Sequence, residues 1–288
     1  MEPAAITLNQ TSQVFELPGR TGKPLYCRKW GDEKEARALV LIIHGLGAHS
    51  GWFEAFGSRL AMRRFGVFSF DQVGFGLRKD QTFNSRSQWQ DEAIAVYNHV
   101  AGLASGKPVF LMGNSMGALV AVKICRLLSP RPGGVAIFSP GFDGFPGRFT
   151  IPYKLKAVAT ALISPDAELA LPYTVDDITS NQAVREELAQ DELKRLTIPA
   201  RMGLELLNFT NELKKEVQSL PVPLFMATAG IETIVDNRHS ERFFEKVESP
   251  DKTRLTMDEC WHDLMFEAQL PRLLDELEPW LVRNLSST

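Results

Sequence analysis

Five consecutive residues, Gly113-Asn114-Ser115-Met116-Gly117, carry the clearest chemical signal in the chain. A serine between two closely spaced glycines suits a sharp strand-to-helix turn. Glycine lets neighbouring backbone approach where a Cβ would collide, and the turn pushes the hydroxyl outward. The flanks agree, since Val109-Phe110-Leu111-Met112 reads as a buried strand and Ala118-Leu119-Val120-Ala121-Val122 as an apolar helix. Ser115 is therefore the candidate nucleophile. A serine hydroxyl attacks a carbonyl only when a base takes its proton, so a histidine and a carboxylate to orient it must converge on this turn.

In a strand, serine, helix arrangement these partners follow in the order serine, acid, histidine. Of the 5 histidines, His44, His49 and His99 precede Ser115, which leaves His239 and His262. His239 opens a predicted helix, where a solvated surface position is expected. His262 follows the last predicted strand after Asp258-Glu259-Cys260-Trp261, at the sheet edge where ligands collect, and is the expected base. Glu232 and Asp236 both follow the predicted strand 224–228. Asp236 stands at a helix entry, where aspartate commonly caps free amides. Glu232 is the favoured acid and Asp236 the alternative, with Asp258 and Glu259 expected at the surface. Negative charge on a carbonyl oxygen needs fixed donors. The backbone amides of Met116 and of Leu46, within His44-Gly45-Leu46-Gly47, are placed for that.

Positioning these groups requires a regular frame, and the hydrophobic pattern predicts one. Strand-like runs at 39–43, 67–70, 109–112, 135–138, 224–228 and 253–257 alternate with helical segments near 51–65, 87–103, 116–128, 240–247 and 270–285. An antiparallel lead-in at 12–17 and 25–30 is divided by Pro18-Gly19-Arg20-Thr21-Gly22. Strands separated by helices imply an α/β fold, a mostly parallel sheet covered on both faces. The alternation stops after Phe138 and resumes at Leu224, an interruption of about 85 residues. Its first part, 142–173, is rich in Phe, Pro, Leu and Ala; its second, 180–220, carries charges at helical spacing, as in Asp191-Glu192-Leu193-Lys194-Arg195. The expected organisation is a catalytic core of residues 1–140 and 221–288 with an inserted helical cap, 141–220, on the ligand-binding edge.

Composition narrows the partners. With 288 residues, 44% hydrophobic and 23% charged, the chain is neither disordered nor fibrous. Basic residues number 32 against 35 acidic ones, a net charge of -3 without a long basic run, which argues against nucleic acid. The strongly apolar stretches, such as 38–43, are far shorter than the roughly 20 residues of a membrane span. Met1-Glu2-Pro3-Ala4-Ala5 lacks the pattern of a secretory signal. Cys27, Cys125 and Cys260 are too widely spaced for a zinc pair, and a cytoplasmic, reduced location is expected.

With these residues in place, the chain resembles an α/β-hydrolase and is most similar to the monoacylglycerol lipase and lysophospholipase group. The resemblance runs nearly end to end. Leu41-Ile42-Ile43-His44-Gly45-Leu46-Gly47-Ala48-His49-Ser50-Gly51-Trp52-Phe53 resembles that group's oxyanion segment, and Phe70-Asp71-Gln72-Val73-Gly74-Phe75-Gly76 its D-x-x-G-x-G turn. Residues 178–207 resemble the helical cap, and Ala229-Gly230-Ile231-Glu232-Thr233-Ile234-Val235-Asp236-Asn237 the acid loop. Three departures stand out: Asn114 where histidine is common, Leu77-Arg78 where a serine is common, and Glu232 where aspartate is usual.

The resemblance implies a three-layer α/β-hydrolase fold with a mostly parallel sheet and an inserted helical cap. It also implies hydrolysis of a carboxylic ester with one long acyl chain through an acyl-enzyme, without metal or organic cofactor. Ser115 would attack, His262 move the proton, Glu232 orient it, and the Leu46 and Met116 amides hold the oxyanion. A serine at 115 disfavours the branches that place an aspartate there. The substrate would be a lipid or other ester. Phe142, Phe145, Phe149, Ile151, Tyr153, Leu155, Val158, Leu162 and Ile163 are expected to line an acyl tunnel, to make transient contact with a membrane surface, or to form the cap's own core. Two other readings remain. One is an aminopeptidase, amidase or thioesterase on the same scaffold, the first needing cap carboxylates such as Asp166, Glu168, Asp176 or Asp177 for a substrate ammonium. The other is a ligand-binding protein without catalysis.

Overall fold

The structure is a computed structural model that describes residues 11–19, 22–216 and 219–286. Residues 1–5, read above for a targeting signal, and Arg20 and Thr21 of the predicted turn lie outside the described residues.

In chain order the strands are β1 (Gln13–Leu17), β2 (Leu25–Trp30), β3 (Ala38–Ile43), β4 (Phe65–Phe70), β5 (Val109–Asn114), β6 (Val135–Phe138), β7 (Glu168–Ala170), β8 (Thr197–Pro199), β9 (Leu224–Ala229) and β10 (Lys252–Met257). The helices are α1 (Glu54–Met62), α2 (Arg86–Leu103), α3 (Met116–Cys125), α4 (Ile151–Ile163), α5 (Gln182–Gln190), α6 (Ala200–Glu216), α7 (Asn237–Lys246) and α8 (Leu270–Arg283). Eight strands form one sheet in the order β1-β2-β4-β3-β5-β6-β9-β10. Its first two pairings are antiparallel, and the rest are parallel.

The three layers follow from the period of two in a strand buried on both faces. In β3, Leu39, Leu41 and Ile43 point into a core shared with Trp89, Val96 and Tyr97 of α2 and Leu119 of α3. The alternate residues Ala38, Val40 and Ile42 pack with Phe56 and Leu60 of α1 and Leu273, Leu277 and Trp280 of α8. An unbroken apolar run is thus what a central strand of such a sheet needs. The outer strand β10 alternates instead, with Lys252, Arg254 and Thr256 exposed.

Some boundaries differ from the hydrophobic pattern. The helix expected over 51–65 ends at Met62, because Arg64 takes a φ of 65° and turns the chain so that Phe65 opens β4. The helix expected from 240 begins at Asn237, capped by the Asp236 carboxylate. Between β6 and β9 lie α4, α5, α6 and the antiparallel pair β7 and β8, whose three-residue strands are too short for a run-based reading to find. Arg78, the departure after the D-x-x-G-x-G turn, is buried, pairs with Glu92 at 2.7 Å and donates to the Asp71 carbonyl at 3.0 Å. Among the described residues, no helix is long and apolar enough to cross a membrane.

Candidate active site

Ser115 stands at the junction of β5 and α3 with φ 52° and ψ −116°, a conformation that side-chain-bearing residues rarely adopt. Its flanking glycines are steric necessities. A Cβ on Gly113 would lie 2.3 Å from the Gly117 carbonyl oxygen, and one on Gly117 would lie 2.1 Å from that of Ile43. The Ser115 amide donates to the Phe138 carbonyl at 2.9 Å, tying the turn to β6. Met116 is the first residue of α3, where helical geometry gives the amide no acceptor within its own helix.

The loops after β9 and β10 supply the other two groups. Glu232 Oε2 lies 2.8 Å from His262 Nδ1, and both side chains are buried. The second carboxylate oxygen, Oε1, accepts from the amides of Ile234 at 2.8 Å and Val235 at 3.2 Å, so the acid is held from behind. With Nδ1 facing the carboxylate, Nε2 is the ring nitrogen left to accept a proton. Burial opposes the charged imidazole, but the Glu232 charge and hydrogen bond, with Asp263 beside it, outweigh burial and hold the His262 pKa above its ordinary value. Asp236 goes elsewhere: it caps α7 and pairs with Arg238 at 2.7 Å, whose hydrogen bond lowers its pKa. His239 is half-buried between Asp143 at 3.7 Å and Asp236 at 3.4 Å, less solvated than the sequence suggested.

The turn carrying Leu46 lies directly against the serine, since a Cβ on Gly45 would be 3.0 Å from Ser115 Cβ. Its neighbour His44 is a structural residue. The Gln72 amide donates to His44 Nε2 at 3.0 Å, so Nδ1 carries the hydrogen and donates to the Gly45 carbonyl at 2.8 Å. Complete burial, against the raising effect of Asp71, brings its pKa down to about 4 and keeps the ring neutral. Asp71 in turn accepts from Ser50 N and Oγ and from the Leu77 amide, which joins the two Gly-rich turns recognised in the sequence.

The segment between β6 and β9 braces the same turn through residues that no local pattern marks. The Tyr173 hydroxyl donates to the Leu46 carbonyl at 3.2 Å, and the Arg195 amide to the Gly47 carbonyl at 2.9 Å. Asp191 Oδ2 accepts from His49 Nε2 at 2.9 Å and Trp52 Nε1 at 2.8 Å. In sequence, Asp191 and Arg195 read only as charges of a helical face, and the tyrosine gives no signal without its partner 127 residues away.

Ser115, Leu46 and Met116 open on one cavity. Its walls are mostly apolar and come largely from the inserted segment: Phe149, Tyr153 and Val158, then Leu171, Ile198, Leu204 and Leu207. Of the other side chains expected there, Phe142 is buried against Phe243, with ring centroids 4.4 Å apart. Ile151, Leu155, Leu162 and Ile163 face outward from α4, and Phe145 is also exposed. Asp143 lines the cavity but is neutralised by Lys154 at 3.0 Å and Lys214 at 2.7 Å. The carboxylates considered for an ammonium do not line it: Asp166 pairs with Arg201, Glu168 with Arg195 and Asp177 with Arg148, while Asp176 is exposed.

Comparison with known proteins follows this geometry. The family described as serine aminopeptidase, S33 matches residues 34–269. Human monoglyceride lipase is 27% identical over 94% of this chain and 91% of its own length, and Bacillus subtilis phospholipase YtpA is 25% identical over 81% and 90%. Among solved structures, a soluble variant of Saccharomyces cerevisiae monoglyceride lipase in complex with a substrate analog superposes with a TM-score of 0.88 at 20% identity, covering 98% of this chain and 99% of that one. The monoacylglycerol lipase of Paleococcus ferrophilus gives a TM-score of 0.80 at 22% identity over 90% and 99%. The chain therefore has the α/β-hydrolase fold and belongs to the serine aminopeptidase, S33 family of hydrolases.

Proposed function

We propose that the chain hydrolyses carboxylic esters with a single long acyl chain, of the monoacylglycerol or lysophospholipid type. The carrying observation is the cavity itself. Ser115, Leu46 and Met116 line it together with apolar side chains that come mostly from the inserted segment.

Ser115 Oγ attacks the ester carbonyl while His262 Nε2 takes its proton, and Glu232 holds the ring and balances the charge that appears on it. The carbonyl oxygen becomes an oxyanion held by the Leu46 and Met116 amides. Collapse breaks the ester bond, the alcohol leaves with the proton from His262, and Ser115 keeps the acyl group. Water then repeats the sequence, losing its proton to His262, and releases the fatty acid with the serine restored. Residues 1–140 and 221–288 act as the catalytic core and 141–220 as its cap. The outward face of α4, with Ile151, Leu155, Leu162 and Ile163 exposed, is the surface that meets a membrane or lipid aggregate. Three buried thiols, Cys27, Cys125 and Cys260, fit the reduced cytoplasmic location expected above.

The family description names an aminopeptidase, but the ester reading fits the cavity better. Its one lining carboxylate among the described residues, Asp143, is already held by two lysines and is not available to a substrate ammonium. Hydrolysis of monoacylglycerols and lysophospholipids across acyl lengths, beside aminoacyl amides, tests this. A rate that climbs with chain length is expected; a flat or short-chain-only profile, or preference for the amides, overturns it.

A further inference from the structure

Two buried polar residues flank the catalytic pair without a part in the steps above. Asn114, the last residue of β5, immediately precedes Ser115, and Asp263 immediately follows His262. Asn114 Nδ2 donates to Asp263 Oδ2 at 3.1 Å, joining positions 149 residues apart. Both residues are nearly inaccessible, at 3% and 4% exposure. We propose that Asn114 and Asp263 form a positioning pair that sets the serine against the imidazole and favours the protonated ring during turnover. This inference rests on Ser115 and His262 being nucleophile and base.

The geometry supports a mechanical role. Each partner is one peptide unit from a reacting residue, so a shift at the hydrogen bond displaces the hydroxyl or the ring. The histidine loop is also held from the other side. The Asp263 amide donates to the Ile178 carbonyl at 2.9 Å, and Asp263 Oδ1 accepts from the Met265 amide at 3.2 Å. The Asn114 link alone ties that loop to the serine turn by a side-chain hydrogen bond among the described residues. Asn114 Oδ1 has no partner, so the amide is oriented by what its NH2 group donates.

The charge supports the second role. No lysine or arginine pairs with Asp263 among the described residues. Burial therefore pushes its carboxyl up to about 6, with His262 opposing and the nearby Glu267 carboxylate adding to the rise. Glu267 is taken up by Thr179 Oγ1, Ser180 N and Ser180 Oγ. The groups that face His262 are Glu232, through charge and a hydrogen bond, and Asp263, through charge. Beyond the hydrogen bonds from Asn114 and the Met265 amide, a carboxylate that lacks a permanent cation gains further stabilisation while the neighbouring imidazole carries its proton. That is the interval from attack on the carbonyl to departure of the leaving group. Asn114 supplies a donor that stays neutral across the working pH range.

The experiment uses a fluorophosphonate probe, whose labelling of Ser115 needs no knowledge of the substrate, together with kcat and KM on a soluble short-chain ester. Asn114→Ala should slow labelling and lower kcat about tenfold with KM unchanged. Asp263→Asn, which keeps the shape and removes the charge, should shift the acid limb of the labelling profile to lower pH by about half a unit. The double variant should lose little more than the worse single one, and Asn114→His should restore most of the rate. Labelling within twofold of the parent with an unshifted pH profile overturns the pair, as do losses that multiply and appear in KM. A parent protein that does not label at Ser115 at all overturns the nucleophile reading beneath it.

Discussion

On the sheet side of the cavity, polar groups are buried and held from several directions, whereas the inserted segment turns Ile151, Leu155, Leu162 and Ile163 of α4 into solvent at 74%, 64%, 74% and 85% exposure. Glu232 meets His262 and two backbone amides, and His44 and Gln72 lock the Leu46 turn onto β4's following loop. The difference reflects what each side supplies. Proton transfer and oxyanion binding fail when donor and acceptor drift by an ångström, so these groups sit on loops at the ends of packed strands. The proposed binding of an acyl chain needs apolar area more than fixed position, and the helical segment supplies apolar lining. The inner face of α4 contributes Tyr153 and Val158 to the cavity, while its outer face exposes aliphatic surface that favours burial in lipid.

The comparison makes graded predictions. Ser115→Ala removes the proposed nucleophile and should lower hydrolysis about 10,000-fold without loss of fold by circular dichroism. Retained turnover would take the chemistry away from the sheet side. Glu232→Gln should cost about a hundredfold or more in kcat, whereas Asp236→Asn, at a helix cap, should leave kcat within about threefold and cost at most about 1 kcal/mol of stability. The reverse outcome would make Asp236 the acid. The acid limb gives an independent check. As the proposed base, His262 must be neutral to take the proton, and its pKa is held above the ordinary value, so activity should fall as pH drops through that raised value. Glu232→Gln should move the limb to lower pH.

Changes on the inserted side should separate presentation of substrate from chemistry. Leu162→Glu with Ile163→Glu should weaken vesicle binding and slow hydrolysis of vesicle-borne long-chain esters about tenfold or more. The rate on a soluble short-chain ester should stay within about twofold. Equal losses on both substrates would refute that separation. Tyr173→Phe crosses the divide, because its hydroxyl reaches from the insert to the Leu46 carbonyl. It should lower kcat about fivefold with little change in KM, the scale of one net hydrogen bond.

Legibility in the sequence follows the distance over which each feature is specified. The serine turn was readable within five residues. The strands of the central sheet were readable because burial on both faces demands continuous apolar runs, as in β3 and β5. The helix entry at Asp236 was readable as well, since a cap is decided by its adjacent amides. Less was legible in the insert. Its composition announced helices, but the β7 and β8 ribbon and the division of α4 into an inner and an outer face were not visible in aromatic and aliphatic residue counts.

The sequence by itself determined the elbow at Ser115, the alternation of strands and helices, and the short list of acids and bases. These depend on sterics and periodicity within a few residues of chain. Tertiary structure decided which groups meet. Parallel pairing of β9 with β10 brings the Glu232 and His262 loops side by side across 30 residues. The docking of the insert places Tyr173 on Leu46 and the Asp263 amide on Ile178. The physical reason is that a side-chain hydrogen bond is sensitive to tenths of an ångström, while the hydrophobic pattern that brings its partners together constrains only which face of each element is buried.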